Sequence, residues 1–235
     1  MKQQSMETCQ GILLDFGGTL DSDGEHWLDR FFDLYERVGL KIPQADIKRA
    51  FYAADEACNG DPSLAGLGLR PLMSHHVRLQ FEFLGIHASA REGAMIDGFC
   101  RHSEAFLSRN AVLLRRLGKS YQMGVASNFY GNVAALCREA GFSDVLSCIL
   151  DSSVVGVWKP DPGMFEMALR MLGLPSDQVL FVGDSLERDI LPARSLGMQT
   201  LWMKGPKPRI PPDLDFEPLW ISSLLQIEAV LSGED

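Results

Sequence analysis

Apolar residues gather in five short runs, at 11–16 (GILLDF), 121–126 (YQMGVA), 145–150 (VLSCIL), 179–182 (VLFV) and 198–203 (MQTLWM). Each run is short and continuous rather than alternating, the pattern of a strand buried on both faces of a parallel sheet. Gly17-Gly18 closes the first run. Between the later runs, apolar positions recur at helical spacing over 103–117, 131–140, 162–172 and 186–196. Strands alternating with helices predict βαβ units, and therefore an α/β fold with a parallel sheet covered on both faces.

The interval 21–102 breaks this alternation. It holds amphipathic stretches at 26–38, 44–58, 72–84 and 89–100 and no strand-like run. In the first stretch Leu28, Phe31, Phe32 and Tyr35 fall on one helical face. A Gly/Pro-rich loop, 59–71, separates the middle pair, and its 65–69 portion (AGLGL) is expected to lid a cleft. The expected organisation is a Rossmann-like core of residues 1–20 and 103–235, with an all-helical cap inserted at 21–102. The stretch 204–212 (KGPKPRIPP) carries four prolines and reads as a loop.

Composition narrows the function classes. With 22 basic and 31 acidic residues the formal net charge is −9, so no broad basic field collects nucleic acid or anionic lipid. One small phosphate ligand stays compatible, since a lysine and a metal ion reverse the sign locally. The five cysteines are scattered, without a Cys-x-x-Cys pair, which predicts reduced thiols rather than a zinc ribbon. No apolar run reaches the ~18 residues of a membrane span, and the start reads as no signal peptide. A cytoplasmic protein is expected, with neither nucleic acid nor membrane as partner; the oligomeric state is not legible.

Four short motifs carry chemistry. Asp15 opens DFGGTL at the carboxyl end of the first strand, Ser127-Asn128 ends the second, Lys159 lies in GVWKPDP, and Asp184 to Asp189 lie in GDSLERD after another strand. Each alone has an ordinary structural reading. Asp15 suits a turn, Ser127-Asn128 a helix cap, and Asp161-Pro162 the first positions of a helix. Together they place acids where open parallel sheets bind ligands, beyond the strands' carboxyl ends. Carboxylates beside one lysine make a hard oxygen site suited to Mg²⁺ and a substrate phosphate. The cations remove the repulsion between a carboxylate nucleophile and a phosphate dianion.

The order DFGGT, SN, K before PDP, then GDSLERD resembles the haloacid dehalogenase-like (HAD) hydrolase superfamily, from residue 11 to about 203, and the helical insertion matches that family's C1-type cap. The resemblance implies a Mg²⁺-dependent phosphatase acting on a small phosphorylated metabolite. It implies Asp15 as the nucleophile that becomes an aspartyl-phosphate. Ser127, Asn128 and Lys159 would bind the phosphoryl group, with Ser127 and Lys159 also catalytic. Mg²⁺ would sit on Asp15, the Gly17 carbonyl and Asp184, with Asp189 in the same cluster.

One departure matters. Most phosphatases of this kind carry a second aspartate two residues past the nucleophile, and here that position is Gly17. A side-chain acid/base of this type contributes 10²–10⁴-fold, or ~3–5 kcal/mol. Asp21, Asp23, Glu25 and His26 are candidate substitutes. Two other readings are a metal-independent 2-haloacid dehalogenase, against which Gly183-Asp184 argues, and a catalytically weak module that binds a phosphorylated ligand or protein. In the cap, Trp27, His26, His75 and His76 are candidates to face the site, Trp27 reading more simply as core.

Overall fold

The computed structural model describes residues 8–87 and 89–233. Positions 1–7, 234 and 235 of the expected core and position 88 of the expected cap lie outside the described residues. The chain runs β1 (Gly11–Leu14), α1 (Trp27–Arg37), α2 (Gln44–Cys58), α3 (Leu69–Leu84), α4 (Ser89–Leu117), β2 (Gln122–Ser127), α5 (Val133–Glu139), β3 (Leu146–Asp151), the single turn α6 (Ser152–Val155) and α7 (Pro162–Leu172). It closes with β4 (Val179–Gly183), a π turn at Leu186–Ile190, α8 (Leu191–Ser195), β5 (Gln199–Met203), β6 (Trp220–Ile221) and α9 (Ile227–Ser232).

The six strands form one sheet in the order β3-β2-β1-β4-β5-β6, with every pairing parallel. The expected α/β parallel sheet is therefore present. Both faces are covered: β1 and β4 bury every residue, and Phe165 of α7 meets Phe181 of β4 at 5.0 Å between ring centroids. The sixth strand escapes a pattern search because it is two residues long. Asp15 lies one residue past β1, its amide donating to the Val182 carbonyl at 2.9 Å.

Between β1 and β2 the described residues form helices and no strand. The expected stretches 89–100 and 103–117 are one continuous 29-residue helix, α4. No proline or glycine interrupts residues 99–117, so the helix crosses the expected cap boundary at 102 without a break. Its only interior glycine past the first turns, Gly98, admits close packing: a Cβ there would sit 2.7 Å from Leu34 of α1. The loop expected at 59–71 ends sooner, because Pro71 is accepted in the first turn of α3.

A buried polar node ties this helical block to the sheet. Asp21 accepts hydrogen bonds from the Gly18 amide at 2.7 Å, the Trp27 indole at 2.7 Å, Arg30 at 2.8 Å and Ser103 at 3.2 Å. Arg30 also donates to the Phe99 carbonyl at 3.0 Å and lies 3.7 Å over that residue's ring. Farther along α4, Arg109 grips Asp23 with two bonds and Asn110 donates to the Leu20 carbonyl. One long helix thus fixes the loop that follows β1.

Within the helical block His76 is fully buried, stacked on Phe31 at 5.4 Å and bonded through Nδ1 to Gln80 at 2.8 Å. Desolvation pushes its imidazole down to about 3. The unfolded chain therefore binds a proton below pH 6.5 that the folded chain refuses, so this histidine costs stability as pH falls from 6.5. Between pH 6.5 and 4.5, urea unfolding of the wild type should lose about 1.4 kcal/mol per pH unit more than that of His76→Leu. Parallel pH curves for the two proteins would contradict this burial.

Candidate active site

The carboxyl ends of β1, β2 and β4 converge on a cleft of about 110 Å³. Asp15 stands at the first, Ser127 at the second and Asp184 just past the third. Ser127 donates to Asp15 Oδ1 at 2.8 Å, and Lys159 Nζ lies 2.6 Å from the same oxygen. Lys159 also meets Asp189 Oδ1 at 2.6 Å. Both partners of the Asp15 carboxylate are on Oδ1, which leaves Oδ2 to the cleft.

Lys159 is held by its backbone. Its amide donates to Asn128 Oδ1 at 2.7 Å, and Asn128 Nδ2 donates to its carbonyl at 2.8 Å. Asn128 thus acts on the lysine through a two-way amide clamp. The loop carrying Asn128 is anchored by Asp151, at the end of β3, which accepts from the Gly131 and Val133 amides at 2.9 and 3.1 Å. Asp161 accepts from the Gly163 amide at 2.8 Å and caps α7, as its sequence context predicts.

Two glycines let the acids approach. Gly18, at φ +83°, would carry a Cβ 2.5 Å from Asp184 Oδ2, and a Cβ on Gly183 would lie 2.5 Å from Asp189 Oδ2. The π turn after Ser185 brings Asp189 back under the strand end, where it accepts from the Ser185 amide at 3.0 Å. Oxygens of Asp15, Asp184 and Asp189 all lie within 4.8 Å of one another.

The electrostatics follow from this crowding. Burial alone would lower the Lys159 ammonium, but the flanking Asp15 and Asp189 carboxylates outweigh it and hold its pKa above the ordinary value. Desolvation, then the charges of Asp15 and Asp189, push Asp184 well above the usual carboxylate range. Desolvation also raises Asp189, against the pull of Lys159. Among the described residues no hydrogen-bond donor reaches the Asp184 carboxylate. Three clustered hard oxygen donors, one of them without a protein partner, fit a small divalent cation.

The sequence-predicted residues Asp15, Gly17, Ser127, Asn128, Lys159, Asp184 and Asp189 all line this one cleft. The proposed substitutes for the acid at position 17 separate. Asp21 is consumed by its four donors, and Asp23 by Arg109 and the Leu224 amide. Glu25 faces His102 at 3.3 Å, in a different depression. His26 does line the cleft; its Nδ1 accepts from the Leu28 amide, and desolvation followed by the charges of Arg209 and Arg188 lowers it to about 3. It is a neutral donor through Nε2.

Of the cap candidates, Trp27 is core that also forms part of the cleft wall, whereas His76 is buried away from it and His75 pairs with Asp61 at 3.7 Å. The 65–69 loop is not a lid. It packs on α5, with the Leu67 carbonyl accepting from Asn132 and the Leu69 amide donating to Glu139. Residues that pattern reasoning missed close the cleft instead: Tyr52 and Asp55 of α2, Tyr130 and Arg188. Arg188 stands inside a motif already singled out, while the other three carry no signal in their spacing.

A family model for a haloacid dehalogenase-like hydrolase matches residues 9–197. The zebrafish (Danio rerio) haloacid dehalogenase-like hydrolase domain-containing protein 3 is 28% identical over 174 residues, 70% of this chain and 72% of its own. The phosphoserine phosphatase of Thermus thermophilus is 38% identical over 79 residues, 32% of each chain. In fold, the crystal structure of a 2-haloacid dehalogenase from Pseudomonas syringae superposes with a TM-score of 0.51 at 23% identity, covering 97% of this chain and all of the other.

The crowded carboxylates cost stability. An ionised Asp184 is disfavoured by its neighbours, so Asp184→Asn should raise the unfolding free energy in EDTA at neutral pH by roughly 0.5–2 kcal/mol. An unchanged or lowered thermal midpoint would show that the cluster is not under repulsion.

Proposed function

The chain belongs to the haloacid dehalogenase-like hydrolase family, and from that premise we propose that it is a Mg²⁺-dependent phosphomonoester hydrolase acting on a small phosphorylated metabolite. The observation that carries the reading is the convergence of Asp15, Asp184 and Asp189 around Lys159 at the strand ends. In this reading residues 1–20 and 103–235 form the catalytic core and 21–102 a C1-type cap, with α4 as the shared rod between them.

Asp15 is the nucleophile. Its Oδ2 attacks the phosphorus while Ser127 and Lys159 hold Oδ1, fixing the rotamer for in-line displacement. The ester oxygen leaves, and an aspartyl-phosphate remains on Asp15. Water then attacks that phosphorus, releasing phosphate and regenerating the carboxylate. Lys159 and the Ser127 hydroxyl stabilise the charge on the phosphoryl oxygens, and Asn128 keeps Lys159 in place. Asp15, the Gly17 carbonyl and Asp184 would hold Mg²⁺, with Asp189 orienting the cluster. When bound, the ion neutralises phosphoryl charge and screens the nucleophile from its like-charged substrate.

Gly17 supplies no acid/base here. Its φ is not in the left-handed region, and a Cβ would meet Trp27 and Phe129 at 3.7 Å, an ordinary contact. A haloacid reading needs no metal and leaves the Asp184 carboxylate without a role, which favours the phosphatase.

Hydrolysis of p-nitrophenyl phosphate should need added Mg²⁺, stop in EDTA and return on readdition. Asp15→Asn should lose at least about 10³-fold in kcat, the order lost when a nucleophile is removed. Turnover that survives exhaustive EDTA, or an Asp15→Asn enzyme with wild-type rates, would overturn the assignment.

A further inference from the structure

We propose that Asp55, on the cap helix α2, is the general acid and base of this site, protonating the leaving oxygen and then activating the hydrolytic water. The inference rests on the phosphatase reading. Departure of an alkoxide needs a proton, and Gly17 has no side chain to give one. Four carboxylates line the cleft: Asp15, Asp184 and Asp189 form the cluster with Lys159, and Asp55 stands outside it on the cap side.

The local bonding suits the task. The Tyr130 hydroxyl donates to Asp55 Oδ1, so an acidic proton on Asp55 belongs on Oδ2. Tyr130 is buried, and its hydroxyl is pushed well above its usual pKa by desolvation and then by the Asp55 charge, which keeps it a donor. Burial raises the Asp55 carboxyl above its ordinary value, against the opposing pull of Tyr130 and of the Arg188 charge. The other titratable groups beside it are Tyr52 and Cys58 on its own helix and, across the cleft wall, His26. A partly desolvated carboxylic acid opposite a carboxylate nucleophile is the arrangement that separates acid and nucleophile roles.

The protons balance. As the bond from Asp15 to phosphorus forms and the ester bond breaks, the proton of Asp55 Oδ2 passes to the leaving oxygen. In the second step water adds to phosphorus, its proton returns to Asp55, and the Asp15–phosphorus bond breaks. Ester and water become alcohol and phosphate, and Asp55 ends as it began.

The test compares p-nitrophenyl phosphate with glycerol 2-phosphate in the full-length chain with Mg²⁺. Asp55→Asn should lose about 10²–10⁴-fold on the alkyl ester and far less on the aryl ester, whose leaving group needs little protonation. Tyr130→Phe, which breaks the contact between α2 and the β2 loop but keeps the acid, should lose less on the alkyl ester than Asp55→Asn. Adding Gly17→Asp to Asp55→Asn should recover part of the alkyl activity. Equal losses on both esters, or equal effects of Asp55→Asn and Tyr130→Phe, would make Asp55 a latch and overturn the proposal. Should Asp55→Asn not fold, wild-type rates over aryl phosphates of rising phenol pKa decide: a shallow dependence supports the acid and a steep one excludes it. A wild type that hydrolyses neither ester would overturn the phosphatase reading itself, whereas aryl turnover without these contrasts overturns Asp55 alone.

Discussion

Three carboxylates share one buried ammonium at the end of a parallel sheet, and the rest of the molecule is arranged to keep them there. Lys159 reaches Asp15 and Asp189 at 2.6 Å each, whereas Asp184 has no donor in contact among the described residues and is offset only by the more distant charges of Arg188 and Lys159. Such a group is expensive in a low-dielectric site, because removing charge from water is repaid only by good partners. Backbone geometry enforces it. Strands β1 and β4 are adjacent, so Asp15 and Asp184 emerge side by side, and the absence of a Cβ at Gly18 leaves room for Asp184 as its absence at Gly183 leaves room for Asp189. Strain of this kind at a functional centre is stabilised by the surrounding core.

That core is continuous with the helical insertion. Asp21 and Asp23 read from the sequence as free acids near the nucleophile, yet Asp21 is taken up by donors from α1, α4 and the Gly18 amide, and Asp23 by Arg109 of α4 and the Leu224 amide. Their chemistry is spent on fixing the turn after β1, and so on aiming Asp15. The long α4 serves both sides: Ser103 joins the Asp21 node, and Arg109 and Asn110 hold the loop at Asp23 and Leu20. The helical insertion is thereby joined to the sheet through one unbroken helix.

The sheet and the floor of the cleft were legible because they obey local rules. Buried parallel strands are short apolar runs, and ligand-binding residues follow their carboxyl ends, so Asp15, Ser127 and Asp184 could be placed without coordinates. The roof was not. Asp55, Tyr52 and Tyr130 come from α2 and from the loop after β2, and which helical face turns to the cleft depends on how α2 packs on α3 and α1. The same limit explains His76, whose neighbour His75 is half-buried beside Asp61 on the same helix while His76 stacks in the core. The fusion of two expected helices into α4 shows a different limit: the pattern carries no stop where neither proline nor glycine stands between residues 99 and 117.

Covalent chemistry at Asp15 is the centre of the proposed reaction, and trapping the intermediate tests it most directly. Wild-type protein mixed with an aryl phosphate and Mg²⁺, quenched in acid and digested, should show by mass spectrometry one added phosphoryl group on the peptide that contains Asp15. Asp15→Asn should show none. A phosphoryl group on a different residue, or hydrolysis with no acid-stable or hydroxylamine-sensitive adduct at Asp15 at any quench time, would contradict it.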